Sequence, residues 1–162
     1  MGPLPIFIVQ LWWFVLAWSL IVYLAIWPWS RRLSTDARLS LWIAPQMFRM
    51  LGLGLLSPVI SPGMPRDFAV ATAVGDGVTA TLAVFAFLGL HRGWRSARPL
   101  TWTCAIVGAA DLLIAFPHAN HSGAIGHLAG QWYVPVFAGP IMVVAHAACF
   151  VELSRSTCSS DA

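Results

Sequence analysis

The sequence predicts an all-α membrane protein, a bundle of about five transmembrane helices. Three observations carry that expectation. Hydrophobic residues make up 59% of the 162 residues and charged residues only 9%, whereas a soluble domain carries roughly 25% charged residues. So few charges cannot cover a water-facing surface, and the aromatic, apolar composition is the opposite of a disordered chain. The apolar residues also fall into runs close to the ~20 residues that a helix needs to cross a bilayer. Finally, all nine basic residues are arginines, and they cluster between the runs, where basic side chains fix topology. The net charge of +3 is therefore read as a topology signal, and no nucleic-acid partner is expected.

Taken in order, the spans fall at about 6–29, 39–60, 68–90, 100–116 and 132–151. They form a single helical domain over 1–153, followed by a polar tail, 154–162, read as mobile. The first run has no charged residue and reads as an anchor, since it is longer than the ~7–15-residue apolar core of a signal peptide. The second, which contains Pro45, Arg49, Gly52, Gly54 and Pro58, is the most broken. The third and fourth are interrupted by Asp76 and Asp111, and the fifth carries His146.

The arginines set the number of crossings. If all five runs cross, Arg31, Arg32, Arg38, Arg92, Arg95, Arg98 and Arg155 share one face and Arg66 lies opposite. That is the positive-inside pattern, with the N-terminus outside and the C-terminus cytoplasmic. The expected location is the cell inner (plasma) membrane, as a multi-pass protein with membrane lipids as its surroundings. Pro117 is expected to end the fourth helix, leaving a Gly-, His- and Ser-rich outer loop to about Gln131. Small residues at Ala69, Ala73 and Gly77, and at Ala105 and Ala109, predict close helix contacts within the bundle.

Chemistry is expected where ionisable residues interrupt the spans: Arg49, Asp76, Asp111 and His146. A charge at the bilayer centre costs roughly 2.5–3.5 kcal/mol even on the lenient insertion scale, so these groups should face inward and find partners. At the rise of an α-helix, Asp76 lies roughly 12 Å and Asp111 roughly 8 Å below the outer edge. Arg49 is thus expected to pair with Asp76, Asp111 or both. Two carboxylates beside one arginine need not titrate alike, and an ionised acid beside a protonated one is what acid–base chemistry uses. Asp76 and Asp111 are accordingly the catalytic candidates, and Arg49, Asp76, Asp111 and His146 the ligand-binding candidates. The competing reading is a neutralised network that only locks helices together. Gly75 and Gly77, flanking Asp76, are read as packing residues or as access for a ligand.

No metal site and no cofactor are expected. His118, His121 and His127 lack zinc-ligand spacing and have no neighbouring cysteine. His146 alone is deep, too few for bis-histidine haem, and is read as a hydrogen-bonded core histidine. Cys104 and Cys149 read as small packing residues and Cys158 as a free tail thiol. Trp12, Trp13 and Trp18 read as lipid-facing or packing aromatics.

Two likenesses follow from these motifs. Phe48-Arg49, Pro65 to Gly75-Asp76, Gly108 to Asp111-Leu112 and Pro140 to His146 resemble a set of small uncharacterised bacterial membrane proteins, which implies a shared fold and no activity. Residues 68–152 also resemble the last three helices of the EXPERA (emopamil-binding protein / sigma-2 receptor) group, on Asp76, Trp132-Tyr133-Val134-Pro135 and Pro140. That resemblance implies a pocket for sterol-like ligands faced by acids. Two spans precede the region here where that group has one, and the acid of the group's first helix has no match.

The function expected is binding of a lipid or small apolar ligand in the membrane, or an accessory role with a partner subunit or homo-oligomer. The alternative is a membrane enzyme, isomerase-like, moving a proton on a sterol- or lipid-like substrate through Asp76 and Asp111. A proton-coupled transporter is the third reading, weakened by the lack of internal repeats.

Overall fold

The computed structural model describes residues 2–158, with Thr157 and Cys158 only in their backbone. Those residues form five helices long and apolar enough to cross a membrane: α1 (Pro3–Ser30), α2 (Thr35–Leu56), α3 (Arg66–Arg92), α4 (Ala97–His121) and α5 (Ala129–Ser156). Most backbone polar groups are satisfied within the helices, as a lipid environment demands.

Prolines shape α1 and α5 in the same way. Each contains a five-residue π turn, Val22–Ile26 and Val134–Ala138, closed by Trp27 N–H donating to Val22 O and Gly139 N–H to Val134 O. Each turn is followed directly by a proline-containing α segment, at Pro28 and Pro140. Proline has no N–H to donate and crowds the carbonyl four residues back. Widening the preceding turn relieves that crowding.

α2 changes type in its middle. Ser34 caps it, its Oγ accepting from Ala37 N–H at 3.3 Å, and an α-helix runs over Thr35–Ile43. From Ala44 to Leu56 it tightens into 13 residues of 3-10 helix, where runs beyond 3–4 residues are uncommon. Pro45 starts this segment, and Gly52 and Gly54, both poor α-helix formers, weaken the ordinary alternative. The segment's buried residues, Gln46, Arg49, Gly52 and Leu55, recur every third position, so a helix of three residues per turn stacks them in one line.

The remaining ends depart from the expected boundaries. Gly93, at φ +67°, ends α3 in the left-handed conformation that glycine takes most easily. α4 does not stop at Pro117. It runs on to His121 and is closed by Ser122, whose N–H and Oγ both donate to His118 O. The connection between α4 and α5 is shorter than expected and is not purely polar: Ala124, Ile125 and Leu128 turn inward and are buried. α5 also outlasts the expected end at 151, remaining helical to Cys158. Residues 159–162 of the tail, and the side chains of Thr157 and Cys158, lie outside the described residues.

Two apolar clusters hold the bundle. One, around Leu39, Ile43, Ala83, Ala86, Cys149 and Leu153, lies toward the arginine-rich end. The other, around Phe7, Leu55, Phe68, Ile125, Leu128 and Val136, lies toward the opposite end. α3 packs mainly through Ala69, Ala73, Ala80, Ala83 and Ala86, and α4 through Thr101, Cys104, Ala105 and Gly108. Gly77 and Ala109 are not among the buried residues of these helices. α1 is the least embedded helix: Trp12 and Trp13 are 66% and 67% exposed.

Candidate functional site

The stacked line on α2 aims Arg49 between α3 and α4. Its side chain is almost fully buried, and all three guanidinium nitrogens are engaged. Nε donates to Asp76 Oδ1 at 2.7 Å, Nη1 to the Gly108 carbonyl at 3.0 Å, and Nη2 to Asp111 Oδ2. Arg49 therefore pairs with both carboxylates. The two acids retain 14% and 18% side-chain exposure against 1% for the arginine, so the cation is sealed in and the anions face an opening.

Glycines make the room. A Cβ at Gly52 would collide with the Asp76 carboxylate, and one at Gly75 with the Asp111 carboxylate. At Gly108 it would meet Thr79 Cγ2 at 2.7 Å and the His146 ring at 2.8 Å. The Gly75-Asp76-Gly77 triplet thus works differently from the sequence expectation. Gly75 accommodates the other acid, Asp111, across the α3–α4 contact. A Cβ at Gly77 would meet nothing within 4 Å. The space beside Asp76 comes from Gly52 on α2, which sequence proximity to Asp76 does not point to.

The opening is a cavity of about 230 Å³. Its walls are apolar, with Phe7 and Leu11 from α1, Leu55 from α2, Phe68 from α3 and Phe116 from α4, while α5 contributes Pro135 and Met142. Arg49, Asp76 and Asp111 supply polar groups to it, together with Gln131. Apolar walls with a few converging polar groups are the usual form of a small-molecule site. The volume lies below the ~300–1,000 Å³ of drug-sized pockets, so it suits part of a long molecule or a small one whole.

His146 is not part of this lining. It is buried behind Gly108, and among the described residues neither ring nitrogen has a hydrogen-bond partner. The expected hydrogen-bonded core histidine is therefore not what the structure contains. Thr79 Oγ1, nearby across Gly108, is likewise buried without a partner. Cys104 and Cys149 are free and fully buried, as small packing residues should be.

The histidines near the α4–α5 connection separate. His118 sits edge-on to Phe68, with ring centroids 5.4 Å apart, and His127 Nδ1 lies 3.4 Å from Pro62 O. Among the described residues no three His, Cys, Asp or Glu side chains group as metal ligands would.

Sequence reasoning passed over the glutamines and one glutamate. Gln46 is fully buried and donates to Met142 O at 3.1 Å, tying α2 to α5. Gln131 borders the cavity, with its amide beside Gly54. Gln10 accepts from Trp132 Nε1 at 2.8 Å. Glu152 is buried and accepts from Arg38 Nε at 2.9 Å. The signal available was that polar side chains are costly in apolar runs, which applies to amides as well as to charges.

Compared with known proteins, the chain matches no curated protein and no solved structure. A family model, a domain of unknown function (DUF8737), matches residues 6–154, and the EXPERA group is not indicated. The sequence likeness to that group is therefore not supported as a family relation. The chain, over nearly its whole length, belongs to the DUF8737 family.

Proposed function

We propose that this protein binds a small apolar or lipid-like molecule within the membrane, with its polar end against Asp76 and Asp111. The observation that carries this reading is the cavity touching both carboxylates. A network serving only to lock helices needs no void beside it, and empty space in a packed interior is destabilising. Arg49 occupies one oxygen of each acid, and the remaining oxygens are acceptors for a ligand hydroxyl or amine. The binding role extends to an accessory subunit, in which the ligand or a side chain of a partner subunit occupies the same cavity.

The test is photocrosslinking in bilayers, using a photoactivatable phospholipid and a photoactivatable sterol as separate probes. Crosslinks from one of them at cavity residues such as Phe68, Leu112 and Phe116, reduced in Asp76→Asn, support the reading. Crosslinks confined to outward residues such as Leu113 and Ile114, which are 76% and 67% exposed, sink it.

A second reading is favoured by the placement of two carboxylates on one cavity and one arginine. Such a pair suits a proton transfer on the bound molecule, one acid giving and the other receiving. Conversion of a bound lipid-like substrate, lost in both Asp76→Asn and Asp111→Asn, separates enzyme from binder.

The orientation we infer places the N-terminus outside and the arginine-rich end in the cytoplasm of a plasma (inner) membrane. It rests on the positive-inside rule. In the structure Arg38 reaches Glu152, Arg98 lies 3.8 Å from Asp36, and Arg155 stacks 5.4 Å over Trp27, so these arginines share one end of the bundle.

A further inference from the structure

Seven arginines, Arg31, Arg32, Arg38, Arg92, Arg95, Arg98 and Arg155, stand at one end of the bundle with Asp36 and Glu152, a balance of 7 − 2 = +5 among the described residues. The charge is not spread evenly. A pocket of about 240 Å³ opens there between α1, the start of α2 and the end of α5, lined by Arg31, Thr35, Arg38, Glu152, Arg155 and Ser156. Three arginines against one glutamate leave the pocket at 3 − 1 = +2.

Its floor is fixed in place. Arg38 donates from Nε to Glu152, from Nη1 to Leu33 O at 2.8 Å and from Nη2 to Thr35 Oγ1 at 3.3 Å. Those bonds hold the guanidinium flat and still leave N–H donors over. Arg155 lies over the Trp27 ring and is 54% exposed in its side chain, with Glu152 at 3.7 Å. Arg31 is exposed and makes no ion pair among the described residues. The α2 N-terminus, capped by Ser34, adds a positive dipole end on the same side. Further along α1, about two to three turns from Arg31, Leu20, Ile21 and Leu24 are exposed, at 49%, 45% and 68%.

We propose that this pocket holds the phosphate of an anionic phospholipid, with the acyl chains lying along α1. A phosphodiester matches the excess charge and the forked donors. An anionic lipid such as phosphatidylglycerol carries no cationic group, whereas the zwitterionic headgroup of phosphatidylcholine would bring one into a pocket already positive. The exposed apolar residues further along α1 favour a lipid over a free anion, since acyl chains reaching back from the headgroup gain contact there and a soluble phosphate does not. Basic pockets at the ends of transmembrane helices recognise headgroups on these terms. The site is separate from the Arg49 cavity and does not rest on the ligand proposed there.

The experiment counts bound lipids by native mass spectrometry of the full chain in mild detergent, titrated with phosphatidylglycerol, phosphatidylcholine or inorganic phosphate. Arg31→Gln combined with Arg155→Gln is compared with Arg92→Gln combined with Arg95→Gln, which removes the same charge from the same end outside the pocket. The wild type should prefer phosphatidylglycerol, and the pocket pair should lose that preference by about tenfold or more while the control pair keeps it. Arg31→Gln alone, an exposed change with no packing to lose, should lose an intermediate part. Equal losses in both pairs would mean a diffuse field and overturn the site. Equal retention of phosphatidylcholine, or displacement of lipid by millimolar phosphate, would overturn the assignment to an anionic lipid.

Discussion

Arg49 and Arg38 both reach across helices to carboxylates, yet they sit in different surroundings. Arg38 stands at the arginine-rich end, its side chain 21% exposed, paired with a buried Glu152 that also faces Arg155. On its inner side lie the buried Leu39, Ile43 and Leu153, and on its outer side a pocket lined by polar and charged groups. Arg49 is sealed in the middle of the bundle, shared between two acids, with glycines cut away around the carboxylates and an apolar cavity beside them. Arg38, partly exposed and also bonded to Leu33 O and Thr35 Oγ1, can be reached by water if its buried partner Glu152 is lost. The sealed Arg49 cannot, and a charge stranded there has nowhere to go. The cost of the Arg49 cluster, and the void left next to it, are the reasons to look there for function.

The largest expected effect comes from breaking that contrast at its centre. Arg49→Ala should destabilise the protein by about 3–5 kcal/mol, read as thermal stability in detergent. Adding Asp76→Asn and Asp111→Asn to it should restore part of the loss, because the acids are then no longer stranded. If the triple variant falls by the full sum of its parts, the three groups are not coupled.

Gly52 and Gly77 provide a sharper comparison. Gly52→Ala pushes a methyl into the Asp76 carboxylate and should cost about 1–3 kcal/mol, as overpacking does. Gly77→Ala meets open space and should be neutral or gain up to about 1 kcal/mol from helix propensity. Similar melting temperatures for the two would mean that Gly52 does not cradle Asp76.

Asp76→Asn keeps the shape of the side chain and most of its hydrogen bonding. We expect a smaller change in stability than for Arg49→Ala, with loss of crosslinking or turnover at the cavity. Asp111→Asn should be milder in the same assay. Strong destabilisation by Asp76→Asn, with ligand retained by the folded fraction, would make Asp76 a structural residue.

At the arginine-rich end the effect on the cavity should be smallest. Glu152→Gln should cost less than Arg49→Ala, because the amide oxygen still accepts from Arg38 and Arg38 keeps its bonds to Leu33 O and Thr35 Oγ1, and it should leave the cavity probes unaffected. A loss equal to that of Arg49→Ala would erase the distinction between the two sites. Orientation is checked separately. A cysteine placed within 119–130 should be labelled from outside intact cells and one within 93–97 should not, and the reverse result would invert the topology.

Composition was enough to dictate the class of fold, because a chain with 59% hydrophobic and 9% charged residues has no other way to cover its surface. Hydropathy located five helices, and the cost of charge in lipid marked Arg49, Asp76 and Asp111 as a group that must meet. The end at Pro117 was misplaced, because a proline late in a helix loses little when Ser122 closes the turn. The 3-10 geometry of Ala44–Leu56 was not legible either, since a three-residue line of Gln46, Arg49, Gly52 and Leu55 shows itself only once a neighbouring surface selects it. Three further features exist only in the packed bundle: which glycine serves which acid, the position of His146 behind Gly108 and away from the cavity, and the cavity itself. Each depends on the distance between helices, and that distance is set by side chains far apart in sequence meeting at the same place.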